Sequence, residues 1–213
     1  MGDRTVLLFT GGDPVDPAGV ARLRLPEDAF VIAADSGLAQ AIALGRRVDL
    51  AVGDFDSVDE VALDAAADDG TVIERHPEAK DETDLELGLA AALARRARQV
   101  VVVGGHGGRV DHFLAGALLL ASPRFESMRI RAHVGTAVVH VVRDEVRVPG
   151  VVGSYISLLP VGGDADGVWT DGLEYELAGD RLRAGSTRGV SNVFVKTTAT
   201  VTVEDGVLLA VQP

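Results

Sequence analysis

"DLAVGDFDSV", residues 49–58, is a short apolar run that ends on two aspartates one residue apart, Asp54 and Asp56. A strand aimed at a core does not close on carboxylates unless its end reaches solvent or a ligand. The same layout recurs through the first two-thirds of the chain. Apolar strand candidates at 5–9, 30–34, 49–53, 71–75, 99–104 and 129–134 alternate with helix candidates. "SGLAQAIALG" (36–45) sets Leu38 and Ile42 four apart and stops at Gly45. "SVDEVALDAAADDG" (57–70) opens with Ser57 and Glu60 at capping-box spacing, and "TDLELGLAAALARRAR" (83–98) repeats the device with Thr83 and Glu86. "HFLAGALLLAS" (112–122) is apolar nearly all round, as a buried helix would be.

Alternating units of this kind specify a parallel sheet covered on both faces. Beyond about residue 135 the rhythm changes to short β-branched runs broken by Gly, Asp and Pro, among them "AVVHVV", "YISLLPV", "GVWT", "LEYEL" and "TATVTVED". The expected fold class is α/β: an N-terminal Rossmann-like α/β/α domain over residues 1–140, then a C-terminal antiparallel β-sandwich over 141–213, the boundary falling between 135 and 150. Trp169, the only tryptophan, is expected in the sandwich core.

Composition narrows the function. Twenty basic against thirty-two acidic residues give a net charge of −12, which disfavours nucleic acid and anionic membrane as partners. The absence of cysteine excludes disulfides, thiolate metal sites and cysteine nucleophiles. No apolar stretch approaches the roughly 20 residues a membrane span needs, and "MGDRTVLLFTGG" has no signal-peptide layout, so the expected location is cytoplasmic.

The polar clusters follow the strands. "TGGD" (10–13), "ADSG" (34–37), "GDFDS" (53–57), "HPEAKDETD" (76–84) and "GGHGGRVDH" (104–112) each come just after an expected parallel strand. The carboxyl ends of parallel strands share one edge, where ligands bind. Asp54, Asp56, Asp81, Asp84 and Asp111 would therefore meet there, with Lys80 and Arg109 among them. Crowded carboxylates call for a cation, and an all-oxygen donor set suits Mg²⁺ carrying a nucleotide's phosphates. Lys80, Arg109 and the glycine backbone are the expected phosphate contacts. Plainer roles exist: Ser57 as a helix cap, Asp84 as a first-turn acid, Arg109 and Asp111 as an ion pair. The glycines of "GGHGGR" match neither the P-loop nor the G-x-G-x-x-G pattern.

Taken together, "ADSG", "GDFDS", "KDETDLE" and "GGRVDH", with the later "TDGLEYEL" and "GVSN", resemble the thiamin pyrophosphokinase family, from Ala34 to about Val195. The resemblance implies an ATP-binding α/β domain, a β-sandwich, and a homodimer whose sites use both subunits. It implies Mg²⁺-dependent transfer of a pyrophosphoryl group from ATP to the hydroxyl of thiamin. By match to the motifs, Asp54, Asp56, Asp81, Asp84, Arg109 and Asp111 would be catalytic, with Asp54, Asp56 and Asp84 holding the metal. Asp35, Ser36, Gly37, Ser57, Lys80, Thr83, Gly107 and Gly108 would line the nucleotide, and Tyr175, Ser191 and Asn192 the thiamin. Departures from the family pattern are Ser36 and Leu38 in place of Gly and Ala, Tyr175 in place of Trp, and Val193 in place of an acid. The rival readings are a pyrophosphokinase for another alcohol such as a hydroxymethylpterin, an Asp-x-Asp phosphohydrolase with Asp54 as nucleophile, and a non-catalytic nucleotide sensor.

Overall fold

The computed structural model describes residues 5–14, 25–79 and 81–213. The chain forms two units, one comprising the residues up to Gly116 together with Ser127–Thr136, the other Ala117–Glu126 with Ala137–Pro213.

The first unit is built on strands β1 (Thr5–Phe9), β2 (Phe30–Ala34), β3 (Leu50–Gly53), β4 (Val72–Arg75), β5 (Gln99–Val103) and β6 (Arg129–Val134). They pair in parallel in the order β6-β5-β1-β2-β3-β4. In β1, at the centre, Val6, Leu7, Leu8 and Phe9 are all fully buried, which requires helices on both faces. On one face Leu7, Phe9, Val31 and Val101 pack with Leu38 and Ala41 of α1 (Gly37–Ala43) and Leu63 of α2 (Glu60–Asp68). On the other, α3 (Asp84–Ala94) lays Gly88 directly against Leu8.

Thr83 caps α3 as its spacing predicts, its hydroxyl oxygen accepting from the Glu86 N–H at 3.3 Å. The cap of α2 is instead Asp59, which accepts from the Val61 N–H at 3.0 Å, and Ser57 turns elsewhere. Gly45 ends α1 in the left-handed region, φ 67°, with the Arg46 N–H closing on the Ala41 carbonyl at 2.9 Å. Ile42 is half exposed because Ala41, rather than Ile42, joins Leu38 on the buried stripe. A larger correction concerns α4 (Val110–Leu120): only Leu120 is buried, and Val110, Phe113, Leu114 and Leu118 face solvent in the single chain. The helix carries more apolar surface than one chain covers.

The second unit contains β7 (Ala137–Val142), β8 (Glu145–Pro149), β9 (Tyr155–Pro160), β10 (Ala165–Asp171), β11 (Ala178–Leu182), β12 (Asn192–Val193), β13 (Thr198–Thr202) and β14 (Leu208–Gln212). They pair antiparallel as β12-β9-β14-β7 and β11-β10-β13-β8. Ile156, Leu158 and Leu208 from the first set share a core with Val148, Val168 and Val201 from the second and with Phe194, the arrangement of a sandwich. Trp169 is not in that core. Strand alternation turns Val168 inward and Trp169 outward, half exposed, with its indole N–H 3.4 Å from Glu204 Oε1. The run "LEYEL" is not a strand either: residues 173–177 form a loop tied by an isolated bridge between Leu173 and Phe194.

Candidate active site

Strands β2 to β4 extend to one side of β1, and β5 and β6 to the other, so the order reverses between β1 and β5. That switch point is where an open parallel sheet offers a crevice. The loops leaving the two strands interlock there. The Thr10 N–H bonds the Val103 carbonyl at 3.0 Å, the Gly105 N–H the Gly11 carbonyl at 2.7 Å, and the Asp13 N–H the His106 carbonyl at 2.6 Å. Gly107 adopts φ 91°, and a Cβ there would collide with the Asp13 carboxylate, so glycine is required for the loops to close. Buried Gln40 of α1 donates to the Thr10 carbonyl at 3.0 Å. Asp13 and Gln40 were not among the expected site residues. Gln40 reads as an ordinary helical polar residue until the loop it holds is known.

One strand over, the acids converge. Asp35, at the end of β2, is 6% exposed and takes φ 47°, and its N–H bonds the Val52 carbonyl of β3 at 2.9 Å. At the end of β3, Gly53 takes φ 153°, and a Cβ there would sit 3.2 Å from Asp35 Cα. Its absence lets the two strand ends approach. Phe55 follows with φ 61°, its ring buried beneath the Arg75 guanidinium at 5.5 Å. Anchoring Phe55 inward sends its neighbours Asp54 and Asp56 to the rim. The Asp56 N–H lies 3.3 Å from Asp54 Oδ1, an Asx-type turn.

Asp35, Asp54 and Asp56 each offer a carboxylate oxygen within 4.8 Å of the others. The Ser57 hydroxyl donates to Asp35 Oδ2, whereas Oδ1 is buried without a hydrogen-bond partner among the described residues. A buried, unbonded carboxylate oxygen beside two further acids is unfavourable unless a cation completes it, and the all-oxygen donors match a hard divalent ion. The described non-glycine residues with positive φ are Asp35, Phe55, Arg96 and Ser191. Three of these belong to or adjoin the expected ligand positions, where backbone strain tends to collect.

The remaining expected residues are placed as follows. Asp84 is half buried in the first turn of α3 and stands outside the Asp35–Asp54–Asp56 group. Asp81 is exposed just before it, and Lys80 lies outside the described residues. The Thr83 hydroxyl oxygen serves as the α3 cap. Ser36 and Gly37 open α1 beside Asp35. Gly107 and Gly108 lie in the exposed loop before α4. Arg109 forms a two-pronged pair with Asp111, at 3.2 Å from Nε and 2.6 Å from Nη2. The guanidinium's hydrogen bond holds the Asp111 carboxyl down at about 2.

In the second unit, Ser191 is exposed with φ 61°, its N–H bonding the Ser157 hydroxyl at 3.1 Å. Tyr175 is 63% exposed. Asn192 is buried, and its amide engages protein backbone: Oδ1 accepts from the Tyr175 and Val193 N–H groups and Nδ2 donates to the Tyr175 carbonyl.

Comparison with known proteins agrees with both units. Residues 22–132 match the family model of the thiamin pyrophosphokinase catalytic domain, and residues 138–208 that of the thiamin pyrophosphokinase vitamin B1 binding domain. A thiamine pyrophosphokinase of Bacillus subtilis is 27% identical over 194 residues, covering 87% of this chain and 88% of the relative. The crystal structure of thiamine pyrophosphokinase from the same organism superposes with a TM-score of 0.84 at 26% identity, over 98% of each chain. That of the Geobacillus thermodenitrificans protein gives 0.80 at 25% identity, over 98% of this chain and 96% of the other. The Candida albicans thiamin pyrophosphokinase shares the fold at 14% identity, with a TM-score of 0.75. With matches to both domains and one architecture throughout, the chain belongs to the thiamin pyrophosphokinase family.

Proposed function

We propose that this chain is an ATP-dependent thiamin diphosphokinase. The observation that carries the reading is the convergence of Asp35, Asp54 and Asp56 on one rim of a parallel sheet, in a chain whose two halves match the two domains of this family. In the reaction the thiamin hydroxyl oxygen attacks the β-phosphorus of ATP. The bond from that phosphorus to the α–β bridging oxygen breaks, AMP leaves with the bridging oxygen, and the hydroxyl proton passes to a base.

Such a transfer depends on position and on charge compensation at the phosphate oxygens. Asp35, Asp54 and Asp56 would hold Mg²⁺, with Asp84 supporting from the start of α3. When bound, the ion neutralises the phosphates and aligns them. Ser57 orients the Asp35 carboxylate through its hydroxyl. The loops after β1 and β5, tied together by backbone bonds, lie at the same sheet edge as the acids, and Lys80, Asp81 and Arg109 are assigned to the phosphates by their place in the motifs. Tyr175 and Ser191 are assigned to thiamin by their place in the motifs.

The exposed apolar residues of α4 support a homodimer, since a second copy would cover what one chain leaves open. No described helix is long and apolar enough to cross a membrane. A cytoplasmic location fits a reaction that consumes ATP.

The test is product analysis. With ATP, Mg²⁺ and thiamin the expected products are AMP and thiamin diphosphate. ADP would indicate a simple kinase, free phosphate a hydrolase, and ATP binding without turnover a sensor.

A further inference from the structure

Residues 173–177, "LEYEL", alternate as a strand would, and in a strand Leu173, Tyr175 and Leu177 would share one face. They do not. Leu173 and Leu177 are buried in the sandwich core at 1% and 9% exposure, while Tyr175 between them is 63% exposed. The chain leaves the extended path at Tyr175, so that residue's backbone N–H and carbonyl have no strand ladder to join.

A side chain takes the ladder's place. Asn192 is 6% exposed. Its Oδ1 accepts from the Tyr175 N–H at 3.0 Å and its Nδ2 donates to the Tyr175 carbonyl at 2.8 Å, so one amide satisfies both backbone groups. The same Oδ1 accepts from the Val193 N–H at 2.8 Å, which fixes the amide's own orientation. On either side the Glu174 N–H bonds the Val193 carbonyl at 2.9 Å and the Leu177 N–H bonds the Thr170 hydroxyl at 2.9 Å. An exposed aromatic ring thus stands on a backbone held at both ends and in the middle. That arrangement suits recognition, since a ring on an anchored backbone has only its side-chain torsions left to lose when a flat ligand stacks on it.

We propose that Asn192 is a positioning residue: it fixes the Tyr175 backbone so that the ring is presented to the acceptor, and it sets acceptor affinity without touching the acceptor. The inference rests on the reading of Tyr175 as part of the thiamin side.

A double-mutant cycle tests it. Asn192→Ala and Tyr175→Ala are each expected to raise the thiamin KM by roughly tenfold, with kcat and the ATP KM within about a factor of two. In the double variant the Asn192 change should add at most about twofold, because both act through one ring. Multiplying effects would mean that Asn192 contacts thiamin itself, and an unchanged thiamin KM in a folded Asn192→Ala protein would leave Asn192 as core structure only. Either result overturns the proposal.

Should the alanine variant fail to fold, Asn192→Asp keeps an acceptor for the Tyr175 and Val193 N–H groups and replaces the donor to the Tyr175 carbonyl with a carboxylate oxygen that repels it. It should speed hydrogen exchange at residues 174–176 and raise the thiamin KM. Wild-type exchange there would overturn the clamp. A wild-type protein that neither binds thiamin nor transfers a pyrophosphoryl group to it would instead sink the functional reading, whatever the exchange shows, and this proposal with it.

Discussion

At the rim of the parallel sheet, loops are held by other loops: backbone bonds join residues 10–13 to 103–106, and Phe55 and Asp35 hold strained turns in place. In the antiparallel unit the candidate loop is held by a side chain, Asn192, and the outer surface by exposed ion pairs such as Lys196 with Asp171 at 2.7 Å. The first arrangement keeps charges where a ligand must complete them. The second leaves its polar groups already satisfied. A site for a charged, metal-bound nucleotide needs the former, because transition-state charge is met only by groups fixed beforehand. A platform for a flat organic acceptor needs little more than an aromatic ring on an anchored backbone.

The largest effect separating the two regions should come from the acids. Asp54→Asn is expected to lower turnover by about 10³-fold or more while leaving the circular dichroism spectrum and unfolding midpoint near wild type. A variant that unfolds early would make Asp54 a structural residue and erase the contrast. Phe194→Ala should behave the opposite way. Phe194 is fully buried and its ring packs on Gly150, so the change should cost about 3–5 kcal/mol in urea unfolding, with the nucleotide KM of the remaining folded protein unchanged. Next in size is Ser57→Ala. Removing the hydroxyl leaves Asp35 Oδ2 without that donor in a buried setting, and turnover should drop by roughly tenfold with little change in stability. Wild-type kinetics would reduce Ser57 to a bystander.

Why some of this was legible beforehand follows from range. Gly45 and Thr83 announce helix ends because a cap is a matter of a few neighbouring residues. The parallel sheet was legible because strands buried on both faces must be apolar throughout, as Val6 to Phe9 are. Ser57 was misread as a cap because the competing partner, Asp35, is 22 residues away and only the β2–β3 pairing brings it near. Asp35 itself looked like a nucleotide contact rather than a member of the acid group for the same reason. The exposed face of α4 and of Trp169 was hidden by composition: apolar residues mark burial on average, and only the fold says which ones a single chain leaves uncovered. "LEYEL" failed as a strand because the decisive side chain, Asn192, lies 17 residues on.

The smallest effect concerns the Arg109–Asp111 pair at the start of α4, whose two charges, unlike Asp35 Oδ1, meet each other within the chain. Asp111 is lowered from an ordinary 3.8 to about 2, chiefly by the hydrogen bond from Arg109, with the His112 N–H assisting. A carboxyl depressed in the folded state adds stability above its ordinary titration range and loses it as pH falls toward the folded value. Both side chains are well exposed, so the contribution is small and screened by salt. The measurable consequence is the titration itself. The Asp111 carboxyl resonance should remain largely ionised at about pH 3 in the wild type, and in Arg109→Gln its midpoint should rise toward the ordinary carboxylate value. An Asp111 midpoint that Arg109→Gln leaves in place would show that the two groups are not paired in solution.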